Sequence, residues 1–177
     1  GRKYKDSPLF IVGESYGGHY APAIAHRIWM GNKNLQGELS ALKLKGLAVG
    51  NGWTDPEEQF KWYAEMAYKN EKGIKAVDGH TYSKMTRAIP KCTEDIRKCN
   101  NNGNSFDCQM AFVSCNSELE QPYSLSKLNP YDMTKECGSN PLCYDFSPVE
   151  NFMNLASTKQ ALHVDNHNPS WQTCNMN

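Results

Sequence analysis

The sequence predicts an α/β fold in which a parallel-sheet core carries a disulfide-rich, partly helical insertion. Three observations predict it: a buried-type strand that turns through glycines into an amphipathic helix, a second strand pattern one helix further on, and a polar middle region that gathers most of the cysteines.

Residues 8–12 (Pro-Leu-Phe-Ile-Val) form a short apolar run, the length of a covered strand. Gly13-Glu14-Ser15-Tyr16-Gly17-Gly18 follows as a turn. Over 19–30, Ala21, Ile24, Ala25 and Ile28 fall on one helical face, with Gly31-Asn32 as the stop signal. Pro22 is tolerable there only in the first turn. A second strand is expected over 42–49, where Lys43 and Lys45 alternate with Leu42 and Leu44 before the continuous Leu47-Ala48-Val49, and Gly50-Asn51-Gly52 ends it. Two strands joined by a helix of this length predict a parallel pair with a right-handed crossover.

After Asp55-Pro56 the character changes. Residues 60–68 and 81–88 read as helices but continue no βα repeat, and 90–145 reads as a polar, cysteine-rich stretch. Ser147-Pro148-Val149-Glu150 places Ser at an N-cap, Pro at the first helical position and Glu at the third, and Ser157-Thr158-Lys159-Gln160 repeats the capping-box pattern. The expected organisation is a core segment over 1–54, an insertion or cap over 55–145, and a return to the core over 146–177.

Nineteen basic side chains balance nineteen acidic ones, with no long run of either sign. Nothing builds the positive field that nucleic acid or an anionic membrane surface requires. There is no run of about 18 apolar residues to insert in a membrane, and no apolar segment follows Gly1-Arg2-Lys3-Tyr4-Lys5 as a signal peptide would need. An apolar fraction of 39% is low for a domain with a large core, as expected if much of the chain is surface elaboration or if core-forming segments lie elsewhere. With no initiator Met, the chain is expected to be a segment of a longer protein.

Of seven cysteines, Cys92, Cys99, Cys108 and Cys115 crowd one polar stretch, Cys137 and Cys143 form a close pair, and Cys174 stands alone. Polar loops gain little from burial, so covalent bridges are the natural way to hold them. Structural zinc is the rival, but its ligand pairs usually lie two to four residues apart; the gaps here are six and eight residues and no histidine falls in the cluster. Disulfides are preferred, with no metal, and they imply an oxidising compartment.

Gly13-x-Ser15-x-Gly17 matches the nucleophile elbow. A serine hydroxyl is a poor nucleophile unless it is held exposed beside a base. A sharp strand-to-helix turn does the holding, small flanking residues give it room, and the N–H of Tyr16 is then placed for an oxyanion hole. An ordinary glycine turn is the competing reading of the bare pattern.

The wider sequence decides between them. Gly13-Glu14-Ser15-Tyr16-Gly17-Gly18-His19-Tyr20-Ala21-Pro22 resembles the active-serine segment of the serine carboxypeptidases, the family of carboxypeptidase Y and cathepsin A. The resemblance continues through Gly50-Asn51-Gly52-Trp53-Thr54-Asp55-Pro56, Asn129-Pro130-Tyr131-Asp132, Leu142-Cys143-Tyr144 and Ala161-Leu162-His163-Val164, and the later segments look most like the carboxypeptidase Y branch. It implies a partial α/β-hydrolase fold and a serine-type carboxypeptidase that needs no cofactor and acts on peptide or protein C-termini. Ser15 would attack the last peptide bond, Tyr16 would give one oxyanion N–H, and Glu14 would help bind the terminal carboxylate through a carboxyl–carboxyl hydrogen bond. The family's bridges map onto Cys92–Cys115, Cys99–Cys108 and Cys137–Cys143, with Cys174 reaching a partner outside this chain. A vacuolar, lysosomal or secreted setting is implied.

In this fold the nucleophile is followed by the acid and then the histidine. None of His19, His26, His80, His163 and His167 is expected to be the base, and His19 is expected to pack or hydrogen-bond near the turn. The catalytic Asp and His are expected beyond Asn177, so this segment alone should be inactive. Glu14 has a competing reading as a surface carboxylate, Asn51 as a plain turn residue, and Trp53, Trp62 and Tyr63 as packing. An acyltransferase of the same family pattern and a non-catalytic binding paralogue are the alternative functions.

Overall fold

The computed structural model describes residues 2–37, 40–140, 142–164 and 170–174. Strand β1 (Leu9–Glu14) pairs in parallel with β2 (Leu44–Gly50), and helix α1 (Gly17–Lys33) connects them. The register sets Ile11 beside Leu47 and Gly13 beside Val49. Because side chains alternate across a strand, these pairs share one face, and Gly13 on that face lies against Ala21 of α1. Ala21 and Ala25 are buried, whereas Ile24, expected on the same stripe, is 49% exposed. Asn32 ties the end of α1 to the entry of β2: its amide donates to the Leu42 carbonyl at 2.7 Å and accepts from the Leu42 N–H at 2.9 Å.

Helix α1 begins two residues earlier than its apolar stripe indicates, so Pro22 lies past the first turn and inside the helix. Here Gly17 and Gly18 of the turn are already helical.

The largest difference from the sequence expectation follows Tyr68. After α2 (Pro56–Gln59), a short 3-10 turn and α3 (Tyr63–Tyr68), helix α4 runs from Gly79 to Asn102, through Pro90. Asp78 caps it by accepting from the Thr81 N–H at 2.7 Å, and Gly103 closes it in the left-handed conformation (φ +61°). Helix α5 (Ser105–Cys115) returns antiparallel under an Asn104 cap. The polar cysteine-rich stretch is therefore largely a helical hairpin. Cys92 and Cys99 lie about two turns apart on α4, as Cys108 and Cys115 do on α5, and the Cys92–Cys115 and Cys99–Cys108 disulfides link the two helices as successive rungs.

The main buried cluster sits here rather than on the sheet: Phe60, Ala67, Met85, Ile96, Ala111 and Leu119 are among its members. A π-helical turn and α6 (Gln121–Ser124) lead to the antiparallel pair β3 (Leu128–Asn129) and β4 (Asp132–Glu136). Buried Asn129 accepts from the Tyr131 N–H at 2.8 Å, and the Thr134 and Lys135 side chains hold the Asp132 carboxyl down at about 2. Cys137–Cys143 closes the following loop.

Helices α7 (Ser147–Asn154) and α8 (Ala156–Ala161) end the described fold. Neither uses the expected serine cap. Asp145 accepts from the Ser147 N–H at 2.9 Å, and Ser157 falls inside α8. A carboxylate two residues ahead of Ser147 reaches the first turn before the serine hydroxyl does.

Removing a cross-link raises the entropy of the unfolded chain in proportion to the logarithm of the loop it closed. The bridges close loops of 23, 9 and 6 residues. Cys92→Ala/Cys115→Ala is expected to cost about 3 kcal/mol or more, and more than Cys137→Ala/Cys143→Ala. Denaturant unfolding of the two double variants checks the ranking.

Candidate active site

Ser15 lies between β1 and α1 with φ +55°, a left-handed backbone that L residues rarely adopt. Three hydrogen bonds hold it there. Its N–H donates to the Gly50 carbonyl at 3.1 Å, and its carbonyl accepts from the N–H groups of Gly18 and Trp53, each at 2.9 Å. The turn after β2 is strained too, with Asn51 at φ +43°. Two left-handed residues thus follow directly on the ends of the paired strands.

Close approach of these turns depends on particular glycines. A Cβ on Gly13 would lie 2.6 Å from the Gly17 carbonyl oxygen, and one on Gly18 would lie 2.7 Å from the Trp53 nitrogen and 2.8 Å from the Gly52 Cα. A Cβ on Gly52 would collide with the Val49 side chain. Gly17 differs: nothing among the described residues lies within 4 Å of the Cβ it lacks. The room expected from Gly13 and Gly17 comes from Gly13 and Gly18.

Glu14 and Ser15 are both exposed. Tyr16 takes helical dihedrals (φ −63°, ψ −15°) at the start of α1, where backbone N–H groups have no partner further back in the helix. Its ring stacks on His19 at 5.4 Å and meets Tyr20 and Trp53 edge-on. The His19 Nδ1–H donates to the Trp53 carbonyl at 3.0 Å, so that nitrogen serves the same turn. Among the described residues no hydrogen bond joins the Ser15 hydroxyl to a histidine or carboxylate. His26, His80 and His163 are exposed elsewhere, and His167 lies outside the described residues.

Beside Tyr16 opens a cleft of about 570 Å³, walled by Trp53 and Phe60 on one side and by Ile96, Ala111 and Phe112 of the helical hairpin on the other. Trp53 and Tyr63 are half-buried and pack against the main cluster, with the Trp53 indole N–H unpartnered among the described residues; Trp62 is exposed. Burial pushes the Tyr63 hydroxyl up, with the Glu120 charge adding to it. Cys174 is exposed and unbridged within this chain, and the stretch before it is anchored to α7: Asn154 bonds both backbone groups of Trp171, and Glu150 accepts from the Thr173 N–H.

Gln59 is a site residue that the motifs do not mark. Its side-chain oxygen accepts from the Thr54 and Asp55 N–H groups at 2.9 and 3.0 Å, and its amide donates to the Gly52 carbonyl at 2.9 Å. The signal for it is an amide residue in the first turn after an Asp N-cap, which can reach back to the cap's own N–H.

A strained, exposed serine between a parallel strand and the helix that follows it has the backbone geometry of a nucleophile elbow on an α/β-hydrolase fold. The comparisons narrow that class. The family model for serine carboxypeptidase matches residues 2–177. Serine carboxypeptidase 3 of Hordeum vulgare is 40% identical over 160 residues, covering 88% of this chain and 29% of that protein. Serine carboxypeptidase-like 48 of Arabidopsis thaliana is 36% identical over 164 residues, covering 92% of this chain and 31% of that protein. The crystal structure of Kex1Δp, a prohormone-processing carboxypeptidase from Saccharomyces cerevisiae, superposes with a TM-score of 0.76 at 24% identity, over 98% of this chain and 38% of that one, a likeness of fold. The chain belongs to the serine carboxypeptidase family and spans about a third of the length of these relatives.

The glycine contacts make an asymmetric prediction. Gly18→Ala drives a Cβ into backbone atoms and is expected to cost about 1–3 kcal/mol, while Gly17→Ala, in open space on a helix, is expected to change stability by less than about 0.5 kcal/mol. Thermal unfolding of the two variants separates them.

Proposed function

We propose that this chain is the nucleophile-bearing part of a serine-type carboxypeptidase that releases C-terminal residues from peptides and proteins. The observation that carries the proposal is Ser15 held exposed at φ +55° by bonds from two turns. Such strain persists only where the surroundings over-determine it, and it concentrates at functional sites.

In this reading Ser15 Oγ attacks the carbonyl of the last peptide bond and forms an acyl-enzyme, which water hydrolyses. The Tyr16 N–H donates to the oxyanion, because it sits at a helix start with no acceptor behind it. The base, its orienting carboxylate and the second oxyanion donor come from outside residues 1–177, and this segment alone is inactive. Glu14 faces the terminal carboxylate of the substrate, and the two groups hydrogen-bond only when one of them carries a proton. The cleft beside Tyr16 takes an apolar side chain of the substrate, since Trp53, Phe60 and Phe112 line it. Three disulfides support an oxidising compartment, and a vacuolar, lysosomal or secreted setting suits an enzyme whose substrate contact needs a proton.

Fluorophosphonate labelling of the full-length protein, with the modified peptide mapped by mass spectrometry, tests the nucleophile. The label is expected on Ser15 and is expected to vanish on unfolding; Ser15→Ala should lose label and lower kcat on the order of 10⁶-fold. A folded full-length protein without label would remove the enzyme reading. Release of the C-terminal residue from blocked dipeptides then separates peptidase from acyl transfer to an alcohol.

Glu14→Gln makes a distinct prediction. An amide donates to a carboxylate at any pH, so KM for a free C-terminus should rise less steeply with pH in the variant than in the wild type. Parallel KM–pH profiles would argue against Glu14 as the contact.

A further inference from the structure

The bonds that hold Ser15 end on a segment that has no regular structure of its own. Gly50 closes β2, and residues 51–55 run as a loop before α2. Trp53 both donates to the Ser15 carbonyl and accepts from His19. Any movement of this loop therefore moves the serine backbone and the imidazole beside it.

One side chain fixes the loop from the other side. The carboxamide of Gln59 bonds three backbone groups, on Gly52, Thr54 and Asp55, which flank Trp53 on both sides. Gln59 is itself anchored. It ends α2, its own N–H donates to the Asp55 carbonyl at 2.9 Å, and the next residue, Phe60, is 3% exposed in the main cluster. Glu57 on the same helix pairs with Arg97 of α4 at 2.7 Å. The clamp is thus continuous from the disulfide-linked hairpin to the elbow.

We propose that Gln59 is a positioning residue for the reaction: its carboxamide clamps the 52–55 loop so that the Trp53 N–H holds Ser15 in its reactive backbone conformation. The proposal rests on Ser15 being the nucleophile. Gln59 touches no reacting atom and acts through Trp53.

The test uses the full-length protein and the second-order rate of fluorophosphonate labelling at Ser15, measured well below each variant's unfolding midpoint. Gln59→Met keeps the side-chain length and removes all three bonds; folded, it should label roughly ten- to a hundred-fold more slowly, the scale set by misplacing a reacting group by about 1 Å. Gln59→Glu supplies a readout that a merely structural role would not move. Its carboxylate still accepts from Thr54 and Asp55 but faces the Gly52 carbonyl with no donor. Once protonated, its O–H donates to Gly52 and the clamp is complete. The ratio of Gln59→Glu to wild-type rate should therefore rise toward one as pH falls through the usual carboxyl range, around 4.

Neighbouring charges are common to both proteins and cancel in the ratio: Asp55 at the cap, Glu57 paired with Arg97, Glu58 paired with Lys61, and the His19 ring on Trp53. A folded Gln59→Met that labels at the wild-type rate overturns the proposal, as does a Gln59→Glu ratio that stays flat with pH. If Gln59→Met does not fold, the Gln59→Glu ratio decides alone. Failure of the nucleophile reading looks different, because the wild type itself then takes no label on Ser15.

Discussion

Everything else at this site depends on one backbone angle, the left-handed conformation at Ser15. A non-glycine residue there costs about 1–3 kcal/mol and persists only if its surroundings fix it. Three backbone hydrogen bonds, each contributing a net of about 0.5–1.5 kcal/mol, are of the right size to offset it. Two of the three run to the end of β2 and the loop after it, so the parallel pairing of β1 with β2 is a condition for the elbow and not merely its background. That pairing brings a second strained residue, Asn51, beside the first, and the two turns fit together because Gly13, Gly18 and Gly52 carry no Cβ.

The elbow does not stand on a large sheet. Two parallel strands are described, and on the face away from α1 Phe10 and Val12 are 61% and 74% exposed. The buried cluster lies in the helices instead, where Met85, Cys92, Ala111 and Cys115 are almost completely covered. Two of those four are bridged to each other. A hairpin with a small apolar core is held by covalent rungs spaced to match the helical repeat, and that rigidity reaches the elbow through α2, whose Glu57 meets Arg97 and whose Gln59 meets the 52–55 loop.

What was legible in the sequence divides along physical lines. The strand, turn, helix and second strand could be read because each carries a local signal, and the conjunction of those signals located Ser15. Residues 81–88 read as a helix and 90–145 as a polar, cysteine-rich stretch, whereas α4 continues through Pro90 to Asn102. Yet Met85, Ile89, Cys92, Ile96 and Cys99 repeat at alternating steps of four and three, a helical stripe in which cysteine takes the place of an apolar residue. Thr93, buried one turn past the proline, donates its hydroxyl to the carbonyls of Ile89 and Pro90. Counting cysteine as a crosslinker concealed its role as a small buried hydrophobe.

The same distinction explains why Ser15 stands out in its motif while Gln59 does not. A candidate nucleophile is read from its own chemistry, so its residue type and its glycine neighbours leave a mark in a short window. A clamp is chosen for reach: any side chain with one acceptor and one donor at the right distance from three backbone groups serves, and those groups belong to a loop whose course only the folded chain defines. Gly18 belongs to this second kind, since its need to lack a Cβ arises from the Trp53 backbone, 35 residues further along the chain. Motifs in such a site mark what reacts, while what holds it in place is written in contacts between segments, and the strain at Ser15 is the trace those contacts leave at the motif itself.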